Sequence, residues 1–205
     1  MQAQAQVKDV AVKNGWKMQD FTTLAIFNVV MIIIITFTGM FAHPIAYLFG
    51  GGVTALINGP IYMVMSNKIG KRGILFFSSL ITGLYFVAFG FVYFLITLAV
   101  VGILCELVMW GSGAYKNLVR NAMGYGLFYV GYSFCGVIPL IFFKDQYLAI
   151  LEQSYSPEKL STMLYYYGTP SMVLIMCVVS FAGAFAGCFV GNALLKKHMK
   201  KARLV

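Results

Sequence analysis

The sequence predicts an all-α integral membrane protein with six transmembrane helices, both termini in the cytoplasm, and a long extracellular loop between helices five and six. Of its 205 residues, 60% are hydrophobic and only 10% are charged, and the mean hydropathy is +0.84. A soluble domain has about a quarter charged residues. Apolar runs long enough to cross a bilayer alternate with short basic turns. Of the 15 Lys and Arg residues, only Lys144 and Lys159 fall on the side opposite the termini, which is the positive-inside pattern.

Six apolar runs define the predicted spans and three regions. Residues 1–20 form a basic cytoplasmic segment, 21–195 the six-helix membrane domain and 196–205 a polybasic cytoplasmic tail. His43-Pro44 is the predicted first turn, and Gly50 to Gly52 with Pro60 predict a broken or bent second helix. The predicted spans are 21–42, 45–66, 74–89, 94–113, 122–143 and 169–195.

The turn at 66–73 fixes the orientation in which each predicted span crosses the membrane. Lys68, Lys71 and Arg72 lie within five residues, and Gly70 and Gly73 allow the chain to reverse. Since Lys and Arg are retained on the cytoplasmic side during insertion, this turn is predicted to be cytoplasmic. A second basic turn at 114–121 belongs on the same side.

The predicted extracellular loop, 144–168, contains a helix signal. Ser156 suits a helix N-cap, Pro157 suits the first helical position, and Glu158 favours the positive end of the helix. Apolar residues then recur with helical spacing. The sequence therefore predicts a short amphipathic helix over the outer mouth, acting either as a lid on a pocket or as a membrane-surface helix without a gating role.

Candidate substrate-binding residues come from three spans. Glu106 is the one acidic residue deep within a span, and such a group usually faces a cavity or a partner. Glu106 with Trp110 one turn away predicts a ligand contact, or else a structural hydrogen bond to Asn58, Ser or Tyr on a neighbouring helix. Helix faces that present tyrosine rings with a few hydroxyl and amide groups suit a ligand with a flat polar ring. Tyrosines also pack in membrane bundles and anchor helices at the membrane interface. The remaining candidates follow the polar stripes of spans two and five: Tyr47, Thr54, Asn58, Tyr62, Tyr129, Tyr132 and Ser133.

The last span has small residues every four positions. Gly183, Gly187 and Gly191 would allow another helix to approach closely, and that helix belongs either to this chain or to a partner.

The sequence has no G-x-x-x-x-G-K-[ST] and no hydrolase or metalloprotease motif, so neither ATP binding by the chain nor an enzyme is predicted. The four cysteines lie in apolar runs without C-x-x-C spacing, and no metal or cofactor is predicted. The net charge of +9 is attributed to topology and anionic lipid rather than to nucleic acid.

Three segments carry a family resemblance: residues 58–73, 106–116 and 121–128. They resemble the substrate-binding S component of energy-coupling factor (ECF) transporters, in particular the Trep_Strep subfamily of bacterial integral membrane proteins. The resemblance implies a subunit in the bacterial plasma membrane that binds a vitamin or its precursor from outside. It also implies association with a transmembrane T component and two cytoplasmic ATPases. An A-x-x-x-A docking patch in span one would begin at Ala25, but Val29 occupies its second position.

The aromatic and nearly uncharged spans favour a neutral heteroaromatic substrate, such as pyridoxine or hydroxymethylpyrimidine. Lys144 and Lys159 in the outer loop are the residues through which an anion could still be recognised. The alternative function is a small self-contained channel or facilitator, homo-oligomeric through the last span. A membrane enzyme ranks third because no catalytic pair is present.

Overall fold

The protein is helical throughout its described regular structure. The structure, a computed structural model, describes residues 15–40, 44–111 and 113–201. His43 of the predicted first turn, most of the basic segment 1–20 and residues 202–205 of the tail lie outside these ranges. The described ranges also contain one 3-10 turn, Ala114–Lys116. The helices are α1 Met18–Met40, α2 Pro44–Ile69, α3 Ile74–Val87, α4 Val92–Val108, α5 Leu118–Phe134, α6 Val137–Phe142, α7 Lys144–Ser154, α8 Pro157–Gly168 and α9 Pro170–Lys201.

Three of the described helices are long and apolar enough to cross a membrane: α1, α2 and α9. Helices α3 and α4 are apolar but shorter, with 14 and 17 residues. At about 1.5 Å per residue, α3 extends roughly 21 Å, which is less than the hydrocarbon thickness of about 30 Å. It ends early because the chain turns at Gly90, whose φ of 86° is left-handed. The predicted fifth span is divided, since α5 ends at Phe134 and α6 follows as a separate helix.

Helix α2 is continuous, which corrects the predicted break at its glycines and Pro60. Its glycines instead permit close contact with α9. A Cβ at Gly52 would lie 2.6 Å from the carbonyl oxygen of Val179, and one at Gly59 would lie 2.5 Å from the Cα of Gly187. The absence of side chains at these glycines thus lets the two backbones touch, and the helix continues through Pro60 although proline has no N–H to donate.

The predicted outer loop forms two helices, α7 and α8. The predicted start of α8 is confirmed: Pro157 is its first residue, and the Ser156 hydroxyl accepts a hydrogen bond of 3.4 Å from the Lys159 backbone N–H. Sequence patterning missed α7. Tyr147, Leu151 and Met163 are at least 96% buried between these helices and the bundle.

The basic turns meet at the opposite end of the bundle. The Trp16 indole N–H donates to the Arg72 carbonyl at 2.8 Å, and Lys71 pairs with Asp20 at 2.5 Å. The Arg120 guanidinium donates to the Val108 carbonyl at 2.9 Å. The first two contacts join the start of α1 to the α2–α3 turn, and the third closes the α4–α5 turn, which meets the α2–α3 turn where Arg72 lies over the Trp110 ring. One end of the bundle is therefore basic, and the other is covered by α7 and α8.

Candidate functional site

A cavity of about 260 Å³ lies at the covered end, among α1, α2 and α5 and beneath α7 and α8. Aromatic side chains provide much of its wall, and hydroxyl groups are distributed among them. The aromatic lining includes Phe86, Phe94, Tyr132, Tyr147, Tyr155 and Tyr167. Such a mixture of apolar rings and a few polar groups is typical of a small-molecule site.

Four of the predicted substrate-binding residues line this cavity: Tyr47, Thr54, Tyr132 and Ser133. The Thr54 hydroxyl lies 2.7 Å from the Thr38 hydroxyl and donates to the Gly50 carbonyl, also at 2.7 Å. The Ser133 hydroxyl lies 2.8 Å from that of Ser180 on α9. These bonds fix hydroxyls of four helices, α1, α2, α5 and α9, and those of Thr38, Thr54 and Ser133 border the cavity.

Helices α7 and α8 cover the cavity. The Tyr47 ring meets the Tyr167 ring edge to face with centroids 5.9 Å apart, and it stacks on Tyr166 at 5.8 Å. Met163 of α8 and Tyr147 of α7 extend the same cover. Burial raises the pKa of Tyr147, so its phenol remains neutral at physiological pH.

Three other predicted substrate-binding residues, Asn58, Tyr62 and Tyr129, do not line this cavity. All three are at least 99% buried in the bundle core. The Asn58 amide donates to the Tyr129 hydroxyl at 2.9 Å, and the Tyr62 hydroxyl donates to the Asn121 carbonyl oxygen at 2.5 Å. The Asn58 side-chain oxygen has no hydrogen-bond partner among the described residues, so the polar groups of this cluster are only partly satisfied within the protein.

Glu106 lies near the basic end, away from the cavity, and its contacts are structural. Its carboxylate accepts hydrogen bonds from the Tyr115 hydroxyl and from the Leu75 backbone N–H, the latter at 3.1 Å. Gly73, the N-cap of α3, has no side chain to accept from the first turn of that helix. Glu106 of α4 supplies that acceptor, and this is the kind of contact that the structural alternative describes.

Trp110 is also far from the cavity. Its side chain is 66% exposed, and the Arg72 guanidinium lies 5.2 Å from its ring centroid. The contact is a cation–π pair at the basic end of the bundle. Trp110 is therefore not a ligand contact of this cavity.

The predicted partner-binding residues differ in exposure. The backbone of α2 covers Gly187 and Gly191, since added Cβ atoms would lie 2.8 Å from the Leu56 carbonyl oxygen and 2.7 Å from the Pro60 Cα. Gly183 likewise contacts Gly52. The helix that approaches the α9 glycines is therefore α2 of this chain, and a partner's helix has no room there. Ala25, by contrast, lies on an exposed face of α1.

Sequence reasoning missed several lining residues in α7 and around it, notably Tyr147, Leu151 and Tyr155. Their spacing of four, one helical turn, was the available signal. The segment has little net hydropathy, so hydropathy patterning predicts a loop there. The sequence identifies Lys159 as a charge of this loop, but its position in the cavity wall depends on how α8 folds back.

A family model matches most of the chain. The model of a family described as "Hypothetical bacterial integral membrane protein (Trep_Strep)" matches residues 18–201. No curated protein and no solved structure matches the chain.

Proposed function

This chain belongs to the Trep_Strep family of hypothetical bacterial integral membrane proteins, and from that premise we propose that it is the solute-binding membrane subunit of an ECF-type importer. The observation that carries the proposal is the cavity at the covered end, closed by α7 and α8 and lined by tyrosine, serine and threonine. The proposed solute is a small water-soluble compound of vitamin size. No enzymatic activity is proposed for the chain itself.

The proposed topology has six spans, α1 to α5 and α9, with both termini in the cytoplasm of a bacterial plasma membrane. The clustering of Lys71, Arg72 and Arg120 at one end of the bundle supports it. In this orientation, α7 and α8 face the outside, and the cavity lies beneath them at the outer end of the bundle.

The core beneath the cavity favours a binding subunit over a channel. Between the cavity and the basic end lie the buried side chains of Asn58, Tyr62 and Tyr129, bonded or stacked to their neighbours. A solute in the cavity would thus meet a packed floor. The facilitator alternative also loses its proposed oligomer face, because α2 covers the glycines of α9.

Importer partners are proposed because the chain has no nucleotide-binding loop of its own. They are a transmembrane T component and two cytoplasmic ATPases. The proposed docking face is the exposed side of α1 around Ala25, where Ile26, Val29 and Ile33 are also exposed. An apolar face of this kind equally suits lipid, so the test needs a lipid-facing control.

Affinity purification of a tagged copy in gentle detergent, with mass spectrometry of the recovered proteins, tests the proposal. We expect a T-type membrane protein and two ATPases with the wild type. Ala25→Trp should remove these partners, whereas Val178→Trp, on the exposed face of α9, should retain them. Recovery of the chain alone, together with solute flux in liposomes containing only this protein, would favour the facilitator instead.

A further inference from the structure

The charged residues of α7 and α8 are distributed unequally around the cavity. Residues 144–168 contain five of them: Lys144, Asp145, Glu152, Glu158 and Lys159. Only Lys159 lines the cavity, and the cavity's described lining contains no Asp or Glu. The acidic side chains of this segment are exposed to solvent.

Lys159 lies at a defined helix start, and no acidic partner is found for it among the described residues. It lies in the first turn of α8, whose start is set by Ser156 and Pro157. The one ion pair found in the described ranges joins Lys71 and Asp20, at the other end of the bundle. The Lys159 ammonium instead lies 4.8 Å from the centroid of the Tyr155 ring, which also borders the cavity.

The groups around the cavity complement an anion. The Tyr132 hydroxyl can donate a hydrogen bond to its oxygens, whereas the Thr54 and Ser133 hydroxyls already donate to backbone carbonyls of Gly50 and Tyr129. A neutral solute would cover Lys159 without pairing it, and a partly buried charge left unpaired is unfavourable. A carboxylate or phosphate oxygen would form a charge-assisted hydrogen bond with the ammonium.

We propose that the solute carries an anionic group, a carboxylate or a phosphate monoester, which pairs with Lys159 while an aromatic or apolar body occupies the tyrosine-lined part of the cavity. The inference rests on the proposed function and changes its expected substrate class from neutral to anionic. The single lining cation matches a single anionic group. The cavity is smaller than the roughly 300–1,000 Å³ of drug-sized sites, which suits a body of one ring.

The test uses the full chain and a small-molecule filtrate of yeast extract as the probe. Purified wild type, Lys159→Gln, Lys159→Arg and Lys144→Gln are each incubated with the filtrate and washed. Mass spectrometry then identifies what each retains. Lys144 is the matched control, since it lies in the same segment but outside this cavity's lining. Thermal unfolding without filtrate checks that the variants fold.

We expect the wild type and Lys144→Gln to retain an anion, whose formula distinguishes carboxylate from phosphate. Lys159→Gln should retain at least tenfold less, because a charged hydrogen bond is lost, and Lys159→Arg should recover much of it. A retained neutral compound, or an anion held equally by Lys159→Gln, would overturn the inference and leave solute binding intact. Retention of nothing by any protein would overturn the proposed function as well.

Discussion

Tyr47 of α2 and Tyr167 of α8 meet edge to face with their ring centroids 5.9 Å apart, and this contact closes one side of the cavity. It joins the membrane bundle to the helix predicted to lie over the outer mouth. Aromatic pairs of this kind contribute about 0.5–1.5 kcal/mol beyond the area they bury. The pair is one of several contacts that hold the cover on the bundle, beside the buried cluster of Tyr147, Leu151 and Met163.

Removing the Tyr167 ring should loosen this cover. Cys135 lines the cavity and is 1% exposed, so a maleimide can reach it only when the cover opens. In a background with Cys105, Cys177 and Cys188 replaced by alanine, Tyr167→Ala should label several-fold faster than its parent. Tyr165→Ala is the control, because Tyr165 is 58% exposed and outside the lining. Equal labelling of all three proteins would show that α8 is not a lid.

Tyr132→Ala should weaken solute binding at least tenfold, because an aromatic wall and a hydroxyl of the cavity are lost. Trp110→Ala should leave the affinity unchanged, since Trp110 lies at the other end of the bundle. Isothermal titration with the compound recovered from the wild type measures both. Loss of affinity in Trp110→Ala with none in Tyr132→Ala would locate the site at the basic end instead.

Glu106→Ala should destabilise the protein by about 1–3 kcal/mol, because the Leu75 N–H and the Tyr115 hydroxyl lose a shared acceptor. Glu106→Gln retains an amide oxygen and should lose less. Unfolding in detergent, followed by circular dichroism, gives both values. If Glu106→Ala kept full stability and lost solute binding, the ligand-contact interpretation of Glu106 would be supported.

Two neighbouring glycines of α2 should respond oppositely to alanine. Gly52→Ala inserts a methyl group 2.6 Å from the Val179 carbonyl oxygen, and overpacking of this kind costs about 1–3 kcal/mol. Gly50→Ala meets no atom within 4 Å and should gain roughly 0.5–1 kcal/mol, because alanine favours the helix. The same unfolding assay compares them. Equal effects would mean that α2 and α9 are not packed this closely.

Sequence patterning predicted the parts of this protein that depend on local chemistry. The start of α8 followed from Ser156 and Pro157, whose capping roles act within one helical turn. Tyr47, Thr54, Tyr132 and Ser133 could be selected because polar side chains in apolar spans avoid lipid. The membrane character of the chain followed from composition.

The remaining features depend on tertiary contacts, which local patterns in a single sequence do not reveal. Asn58 and Ser133 have similar polarity, and only depth along the bundle separates the buried one from the cavity wall. Gly52 can break a helix or admit a neighbouring one, and the sequence is the same in both cases. Glu106 could be identified as unusual, but its bond to Leu75 depends on the α2–α3 turn. The division of α5 from α6 leaves no clear hydropathy signal.

The most direct test of the account is native mass spectrometry of three proteins after exposure to the yeast-extract filtrate: the wild type, Gly50→Phe and Val53→Phe. A side chain at Gly50 would enter open space at the cavity wall, whereas Val53 is 49% exposed on the outside of α2. We predict one bound small molecule per chain for the wild type and Val53→Phe, and none for Gly50→Phe. An adduct that persists on Gly50→Phe would contradict the claim that this cavity holds the solute.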